Sequence, residues 1–117
     1  MGFSLPLARR LRRRAEFQRV FDRGRRAHGR YLTIVAAPAE NGVTRLGIVA
    51  SRKIGSAVRR NRAKRLIREI FRTEQPLRRV TDLVVIAKEG AVQAKVADVT
   101  KDYQGTLKRL GLRLSSL

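Results

Sequence analysis

The first periodic pattern of apolar residues along the chain predicts a short helix. Phe17, Val20 and Phe21 recur at intervals of three and four residues, which places their side chains on one side of a helix. The pattern begins near Arg14, and Gly24 is a typical residue just beyond a helix end. We therefore expect the first helix to lie between these two residues.

The next pattern predicts a β-hairpin. The run YLTIVAA, residues 31–37, is rich in strand-forming residues, and Pro38 follows it. Asn41-Gly42 is a strong turn signal, because both residues tolerate positive φ. The run VTRLGIVA, residues 43–50, then predicts a second strand. We expect these two strands to pair antiparallel.

The second half of the chain predicts a helix, a strand and a final helix. Ser56 is a natural N-cap for a helix from about Ala57 to Thr73, and Pro76 lies beyond its end. The compact apolar run DLVVIAK, residues 82–88, predicts a covered strand. The last helix is marked by apolar residues three or four apart: Val92, Val96, Val99, Tyr103, Leu107 and Leu110.

This order of elements predicts a single layered domain of the α+β class. A chain of 117 residues is the size of one domain. Residues 1–13 are basic and have no periodic pattern, so we expect them to form a flexible N-terminal arm. Residues 14–117 are expected to form one α+β domain, and the charge described next indicates that it binds nucleic acid.

Charge identifies the kind of partner. The chain carries 28 Lys and Arg against 9 Asp and Glu, a formal net charge of +19, and 22 of the basic residues are Arg. A solvated basic face is the plain alternative, but ordinary surfaces mix the two signs. Arginine presents a planar set of donors that matches phosphate. Nucleic acid is therefore the favoured partner.

Other classes of protein are not favoured. Without Cys there is no disulfide framework and no thiolate metal site. No run of residues approaches the roughly 18 apolar positions of a membrane span. The opening MGFSLPLARRLRRR is basic but has no apolar stretch after it, unlike a secretory signal. We expect a cytoplasmic protein with no membrane partner.

The most charged stretch, SRKIGSAVRRNRAKRLIREIFR at residues 51–72, is amphipathic as a helix. Its apolar side consists of Leu66, Ile67, Ile70 and Phe71. Its opposite side, which we call the basic ridge, consists of Asn61, Lys64, Arg65, Arg68 and Arg72, with Arg62 and Glu69 at the margin. Asn61 is either an ordinary exposed residue or one that contacts neighbouring side chains or a nucleotide edge.

The same region carries a resemblance to a known family. LGIVASRKIGSAVRRNRAKRLIREIFR, residues 46–72, resembles the signature of the bacterial ribonuclease P protein component, whose centre is an Arg-Asn-Arg helix, here Arg60-Asn61-Arg62. AEFQRVFDRG, residues 15–24, resembles the first helix of that family, and DLVVIAK and a closing helix follow in the same order. SRK stands here where SKK is more usual, and this keeps the charge.

The resemblance implies a fold, a partner and a division of labour. The fold has a central mixed β-sheet with the motif helix in a left-handed βαβ crossover, contrary to the usual handedness. The partner is one large catalytic RNA, and the substrate is precursor tRNA, from which the 5′ leader is removed. The RNA performs the hydrolysis with bound Mg²⁺. The protein is expected to have no catalytic residue, no metal and no protein partner of its own.

The resemblance also implies two groups of contact residues. RNA contacts are expected from the motif helix and the turn before it: Arg52, Lys53, Arg59, Arg60, Asn61, Arg62, Lys64, Arg65, Arg68 and Arg72. A cleft for the leader is expected at Phe17 and Phe21, with Val35 where some relatives carry an aromatic residue. Tyr31 replaces that ring only if strand alternation puts it on the same face as Val35. By spacing alone, a core position is favoured for Phe17 and Phe21, and the two roles coexist if the rings form the wall of the cleft.

Three further readings of the chain are alternatives: a protein nuclease and two rival functions. A protein nuclease needs acid–base groups or metal ligands, but His28 is the only histidine. Asp98 and Asp102, four apart on the last helix, either share a metal or form a solvated face with Lys101. The rival functions are a structural RNA-binding protein, such as a ribosomal protein, and a cationic membrane-active protein with an exposed apolar helix face.

Overall fold

The computed structural model describes residues 5–114 and contains three helices and one four-stranded sheet. The helices are α1 (Arg14–Arg23), α2 (Ala57–Thr73) and α3 (Val96–Arg109). The strands are β1 (Arg25–His28), β2 (Leu32–Pro38), β3 (Arg45–Val49) and β4 (Thr81–Ala87). The α+β class is therefore confirmed. Both α1 and α2 have the predicted bounds, because each has a clear apolar period and a clear terminal signal.

The sheet is mixed, with the strand order β1-β2-β4-β3. β4 pairs antiparallel with β2 and parallel with β3, and α2 connects β3 to β4. The prediction of an antiparallel pair formed by residues 31–37 and 43–50 was wrong, because β4 lies between β2 and β3. Asn41-Gly42 does form a turn, with Gly42 at φ 80°, but a turn signal does not name the strand that pairs next.

Apolar content explains which strands take the centre. β4 is buried along almost its whole length on both faces, and so is β2. β3 contains Arg45 and Gly47 and lies at one edge. β1, with the sequence RRAH, lies at the other edge and was not predicted, because an exposed edge strand needs no apolar alternation and is often charged.

Helices cover both faces of the sheet. On one face, α2 and α3 bury the larger cluster, which includes Ile67, Phe71 and Tyr103 against the alternate strand residues Ile34 and Val85. On the opposite face, which we call the α1 face, α1 packs together with Leu11 of the N-terminal segment. Its core consists of Leu11, Val20, Val35, Ala37 and Val84, with Phe17, Phe21, Val49 and Ile86 partly buried around it.

The described part of the N-terminal segment, from residue 5 onward, contacts the sheet. Leu5 and Leu11 are buried, and Leu11 N donates a hydrogen bond to Leu46 O at 2.9 Å. Arg9 Nε donates to Thr44 O at 3.2 Å, so the segment from residue 5 to residue 13 is packed against the β3 edge. Residues 1–4 of the expected arm lie outside the described residues. The two buried leucines are too isolated in sequence to form a periodic signal.

Candidate RNA interface

The start of α2 is fixed by the turn before it. Ser56 Oγ accepts a hydrogen bond from Arg59 N at 3.3 Å, as predicted for an N-cap. Gly55 has φ 127°, a conformation that side chains strongly disfavour. Arg52 and Lys53 are exposed in a 3₁₀ turn just before it, and buried Ile54 fixes that turn to the core. Both predicted cations therefore lie beside the start of the helix.

The apolar side of α2 packs against the sheet and α3. Ala63, Ile67, Ile70 and Phe71 are buried, and Leu66 is half-buried at the edge of the same cluster. This packing confirms the predicted amphipathic helix. It also removes the feature that a membrane-active protein needs, since the apolar side of α2 is not exposed. Over residues 5–114, no helix combines the length and apolarity needed to cross a membrane.

The basic ridge points away from this core. Asn61, Arg62, Arg65 and Arg72 are exposed, and Arg60, Lys64 and Arg68 are half-buried. Arg72 forms an ion pair with Glu69 at 2.8 Å. Within the described chain, the side chains of Arg60, Arg62, Lys64, Arg65 and Arg68 have neither an acidic partner nor a hydrogen bond. Apart from Arg72, the ridge is therefore a set of cations in fixed positions with no neutralising partner among the described residues.

Arg59 belongs to the predicted RNA contacts but differs from the rest of the set. Its Nε donates to Ile54 O at 3.2 Å, across the turn that precedes α2. The side chain thus folds back onto its own N-terminal turn and stabilises it. We assign Arg59 a structural contact, which sequence spacing alone did not indicate.

Phe17 and Phe21 lie on the α1 face, where a role in the core and a role in the wall of a leader cleft are both sterically possible. Each ring is half-buried, and Val35, 1% exposed, lies beneath α1 in the same cluster. Phe17 packs directly on Gly47, where an added Cβ would lie 2.6 Å from Phe17 Cε1. The guanidinium of Arg26 lies 5.8 Å from the centre of the Phe21 ring. The rings therefore act as core residues that remain partly exposed.

The α1 face also contains residues that the sequence did not single out. Val49 and Ile86 are opposite each other on β3 and β4, and both are only half-buried. Arg26 is opposite Val35 on β1, which brings its charge to the same face. Only the strand register places these three residues together. A correct assignment of β1 would have been the signal needed to find Arg26.

Tyr31 is not on the α1 face, so the expectation that it replaces an aromatic residue at Val35 was wrong. β2 begins at Leu32, and the chain turns just before it, where Gly29 N donates to Leu32 O at 2.7 Å. Alternation therefore does not extend to Tyr31, which packs against the cluster under α2 and α3. Its ring lies 5.2 Å from the Arg30 guanidinium.

Asp102 stabilises that turn instead of forming a solvated face or a metal site. Its two carboxylate oxygens accept hydrogen bonds from Arg30 N at 2.8 Å and Tyr31 N at 2.7 Å. Asp98, four residues earlier on α3, is exposed. Between residues 5 and 114, no group of three or more His, Asp or Glu side chains is arranged to hold a metal ion.

An ion cluster fixes the first turn of α1 to the sheet. Asp82, with 0% exposure, accepts from Arg45 Nε at 3.0 Å and Arg45 Nη2 at 2.9 Å, and from Arg19 Nη1 at 3.0 Å. Glu16 accepts from Arg45 Nη1 at 3.0 Å, and Glu40 pairs with Arg19 at 3.2 Å. Two buried or half-buried arginines are thus matched by three acids.

Glu16 has a second role within this cluster. Its other oxygen accepts from Arg12 N at 2.7 Å and Arg13 N at 2.9 Å, which caps the start of α1. These backbone hydrogen bonds, with the charge of Arg45, lower the pKa of Glu16 below its ordinary value. The hydrogen bond to Asp82 raises the already high pKa of Arg45. Both groups are charged at neutral pH.

A small α+β domain that displays a fixed row of unpaired arginines on one helix is a nucleic-acid-binding protein. Residues 5–111 match the sequence model of the family described as Ribonuclease P. The chain is 44% identical over 93 residues to the ribonuclease P protein component of Desulfatibacillum aliphaticivorans, covering 79% of each chain. It is 41% identical to that of Beutenbergia cavernae, covering 93% of each. The chain therefore belongs to the ribonuclease P protein family.

Solved structures agree with this assignment. The Staphylococcus aureus RNase P protein has a TM-score of 0.82 at 30% identity, covering 91% of this chain and 98% of that one. The Thermotoga maritima RNase P protein has a TM-score of 0.73 at 34% identity, covering 86% and 96%. The chain is a protein subunit of the endoribonuclease that processes the 5′ end of tRNA, and it is not catalytic by itself.

Proposed function

We propose that the basic ridge of α2 binds the catalytic RNA of ribonuclease P, one protein to one RNA. The observation that carries this proposal is that, within the described chain, Arg62, Lys64, Arg65 and Arg68 have no acidic partner, while their helix is fixed by a buried apolar side. Cations held at fixed positions repel one another until phosphates neutralise them. A folded RNA supplies such phosphates in a matching fixed arrangement.

We propose further that the α1 face contacts the 5′ leader of precursor tRNA. Phe17 and Phe21 are each only half-buried, and Val49 and Ile86 extend the apolar surface beside them. Unpaired bases stack on such aromatic surfaces. Arg26, above Phe21, adds a cation for the leader backbone.

In this proposal the hydrolysis belongs to the RNA, which supplies phosphate oxygens for Mg²⁺. The described protein residues offer no cluster of ligands for that ion, and His28 is engaged with Thr33 Oγ1 at 3.1 Å. The role of the protein is to position RNA phosphates and the leader. Its effect on Mg²⁺ is then indirect and is largest where Mg²⁺ is scarce.

Reconstitution tests the function directly. The purified chain is added to a bacterial ribonuclease P RNA at low Mg²⁺, and precursor-tRNA cleavage is measured with protein-only and RNA-only controls. We expect cleavage only when protein and RNA are combined. Cleavage by the protein alone would contradict the proposal, and no gain over the RNA alone would favour a structural RNA-binding protein such as a ribosomal protein.

A charge-matched pair of variants tests the ridge. Arg65→Ala/Arg68→Ala should weaken binding of the catalytic RNA and lower its log–log salt slope by roughly 0.7–0.9 for each lost phosphate contact. Lys101→Ala/Lys108→Ala removes the same charge from exposed positions on α3 and should leave the slope unchanged. Equal effects of both double variants would mean that only net charge matters.

Phe17 variants test the leader contact. Phe17→Ala should reduce the affinity for leader-bearing precursor more than for mature tRNA, by up to about 1–3 kcal/mol if one base stacks on the ring. Phe17→Leu keeps most of the apolar packing on Gly47 and should show the same selective loss. Equal losses for the two RNAs would assign Phe17 to the core alone.

A further inference from the structure

The outer edge of β3 lines a groove that joins two separate parts of the chain. β3 pairs with β4 on one side, and on the other side the N-terminal segment meets it at a single bridge between Arg10 and Leu46. Past this bridge, the N-terminal segment and α2 enclose an open groove of about 910 Å³, which we call the β3 groove.

The β3 groove has an apolar floor and basic walls. Leu11, Leu46 and Ile48 contribute to the floor, and Phe17 lies at its side. One wall is the N-terminal segment, which contributes Arg10. The other wall is α2, whose contributions are Arg62, Lys64, Arg65 and Arg68. The single acid in the lining, Glu69, is paired with Arg72.

The cations on both walls are available to a ligand. Arg10 uses Nε to donate to Leu5 O at 2.5 Å, which orients its guanidinium, and its terminal nitrogens have no hydrogen-bond partner among the described residues. On the facing wall, Arg62, Arg65 and Arg68 have no acidic partner in the same part of the chain. An open groove with cations on two sides favours an anionic chain between them.

We propose that the β3 groove binds single-stranded RNA, with phosphates bound by Arg10 on one wall and by Arg62 and Arg65 on the other. An unpaired strand exposes base faces as well as phosphates, so it can place a base on the apolar floor. A duplex hides its bases and matches only the walls. The proposal rests on the proposed function, and it adds the N-terminal segment to the interface on α2.

A peptide strand is the alternative occupant, because among residues 5–114 no strand pairs with the outer edge of β3 beyond Leu46, and that edge can accept an added strand. A peptide pairing there would have to be acidic to match both walls. The cations lie on both walls of the groove, and β3 itself has none past Arg45. This arrangement favours a ligand that carries its negative charges along its backbone, as RNA does.

The test compares neighbouring arginines. Binding of a fluorescein-labelled oligouridylate, too short to fold, is measured by anisotropy across a salt series. Arg10→Ala is expected to lower the log–log salt slope by about 0.7, the value for one single-strand phosphate contact. Arg12→Ala, an exposed neighbour outside the groove, is expected to leave the slope unchanged. Arg10→Lys keeps the charge and should restore the slope, which excludes displacement of the N-terminal segment as the cause.

Amide chemical shifts locate the oligonucleotide. Those of Leu11, Ile48 and Leu66 are expected to change on titration. The proposal would be overturned by an unchanged salt slope for Arg10→Ala together with amide shift changes confined to the outward side of α2. Normal cleavage in the reconstituted enzyme would then still support the proposed function. An acidic peptide that shifts these amides when the oligouridylate does not would also overturn it.

Discussion

The molecule contains two sets of arginines whose surroundings are opposite. In the ion cluster, Arg45 and Arg19 contact Asp82, Glu16 and Glu40 within hydrogen-bond distance. On the basic ridge, the cations stand beside one another, and within the described residues the one acid in reach, Glu69, is taken up by Arg72. Three of the nine acids of the chain serve the first set.

The difference shows that the distribution of acids, more than that of arginines, separates structure from function here. A buried guanidinium needs a carboxylate partner for the fold to be stable. An exposed row of guanidinium groups without carboxylates leaves its attraction for phosphate intact. Variants of the two sets should therefore change different properties, either stability or binding.

The largest effect is expected at the centre of the ion cluster. Asp82→Ala should lower the free energy of unfolding by about 3–5 kcal/mol, because Arg45 is then left charged and buried without its main partner. Urea denaturation followed by circular dichroism measures the loss, with Arg65→Ala as the control. A loss below about 1 kcal/mol would mean that solvent reaches Arg45 and that the two sets differ less than the structure indicates.

Sulfate should stabilise the protein by binding the basic ridge. At ten times its Kd, sulfate is expected to raise the free energy of unfolding by about 1.4 kcal/mol, because it binds the folded ridge and not the unfolded chain. Chloride at matched ionic strength is the control. The gain should disappear in Arg65→Ala/Arg68→Ala, and a gain that persists there would place the anion elsewhere.

Glu16 should make the ion cluster sensitive to acid. Its pKa is lowered in the folded state from an ordinary value of 4.5, so its contribution is complete above that pH and is lost as the pH falls through the lowered value. Glu16→Gln should cost about 1 kcal/mol at neutral pH, because Gln still accepts the two cap hydrogen bonds but loses the ion pair with Arg45, and it should cost nothing in strong acid. Denaturation across the acid range tests this. A cost that is the same at every pH would contradict it, and Glu89→Gln, at an exposed acid, is the control.

The smallest effect is expected for the ridge itself. Arg65→Ala/Arg68→Ala should leave the free energy of unfolding unchanged or raise it by about 0.2–0.5 kcal/mol, because the like-charge pair of Lys64 and Arg68, four residues apart, is removed. Thermal denaturation without RNA or sulfate checks this. A marked loss of stability would show that the two arginines pack against the core and would blur the distinction between the two sets.

Local signals predicted the elements that carry the interface. The bounds of α2 followed from its apolar period and from Ser56, and its division into a buried and an exposed side followed from the same period. These features depend on residues within one or two turns of each other. The sequence alone was therefore sufficient to predict which residues of α2 form the basic ridge.

Features that depend on distant residues were not predictable in this way. Asn41-Gly42 gave a turn but not the insertion of β4 between β2 and β3. Tyr31 was misplaced because the turn before β2 is stabilised by Asp102, 71 residues away. Arg10 gave no signal beyond its charge, since its position depends on the bridge to Leu46 on the β3 edge.

The central position of β4 has a consequence for synthesis on the ribosome. A nascent chain that ends before residue 81 already contains β1, β2 and β3, but β3 has no neighbour in the sheet until β4 emerges. The helix that displays the arginines is therefore made before the layer beneath it can close. During that interval the apolar side of α2 is exposed next to its arginines, so the unfinished chain can bind nearby RNA before it has folded. Synthesis of the last third of the chain, which contains β4 and α3, ends this exposure.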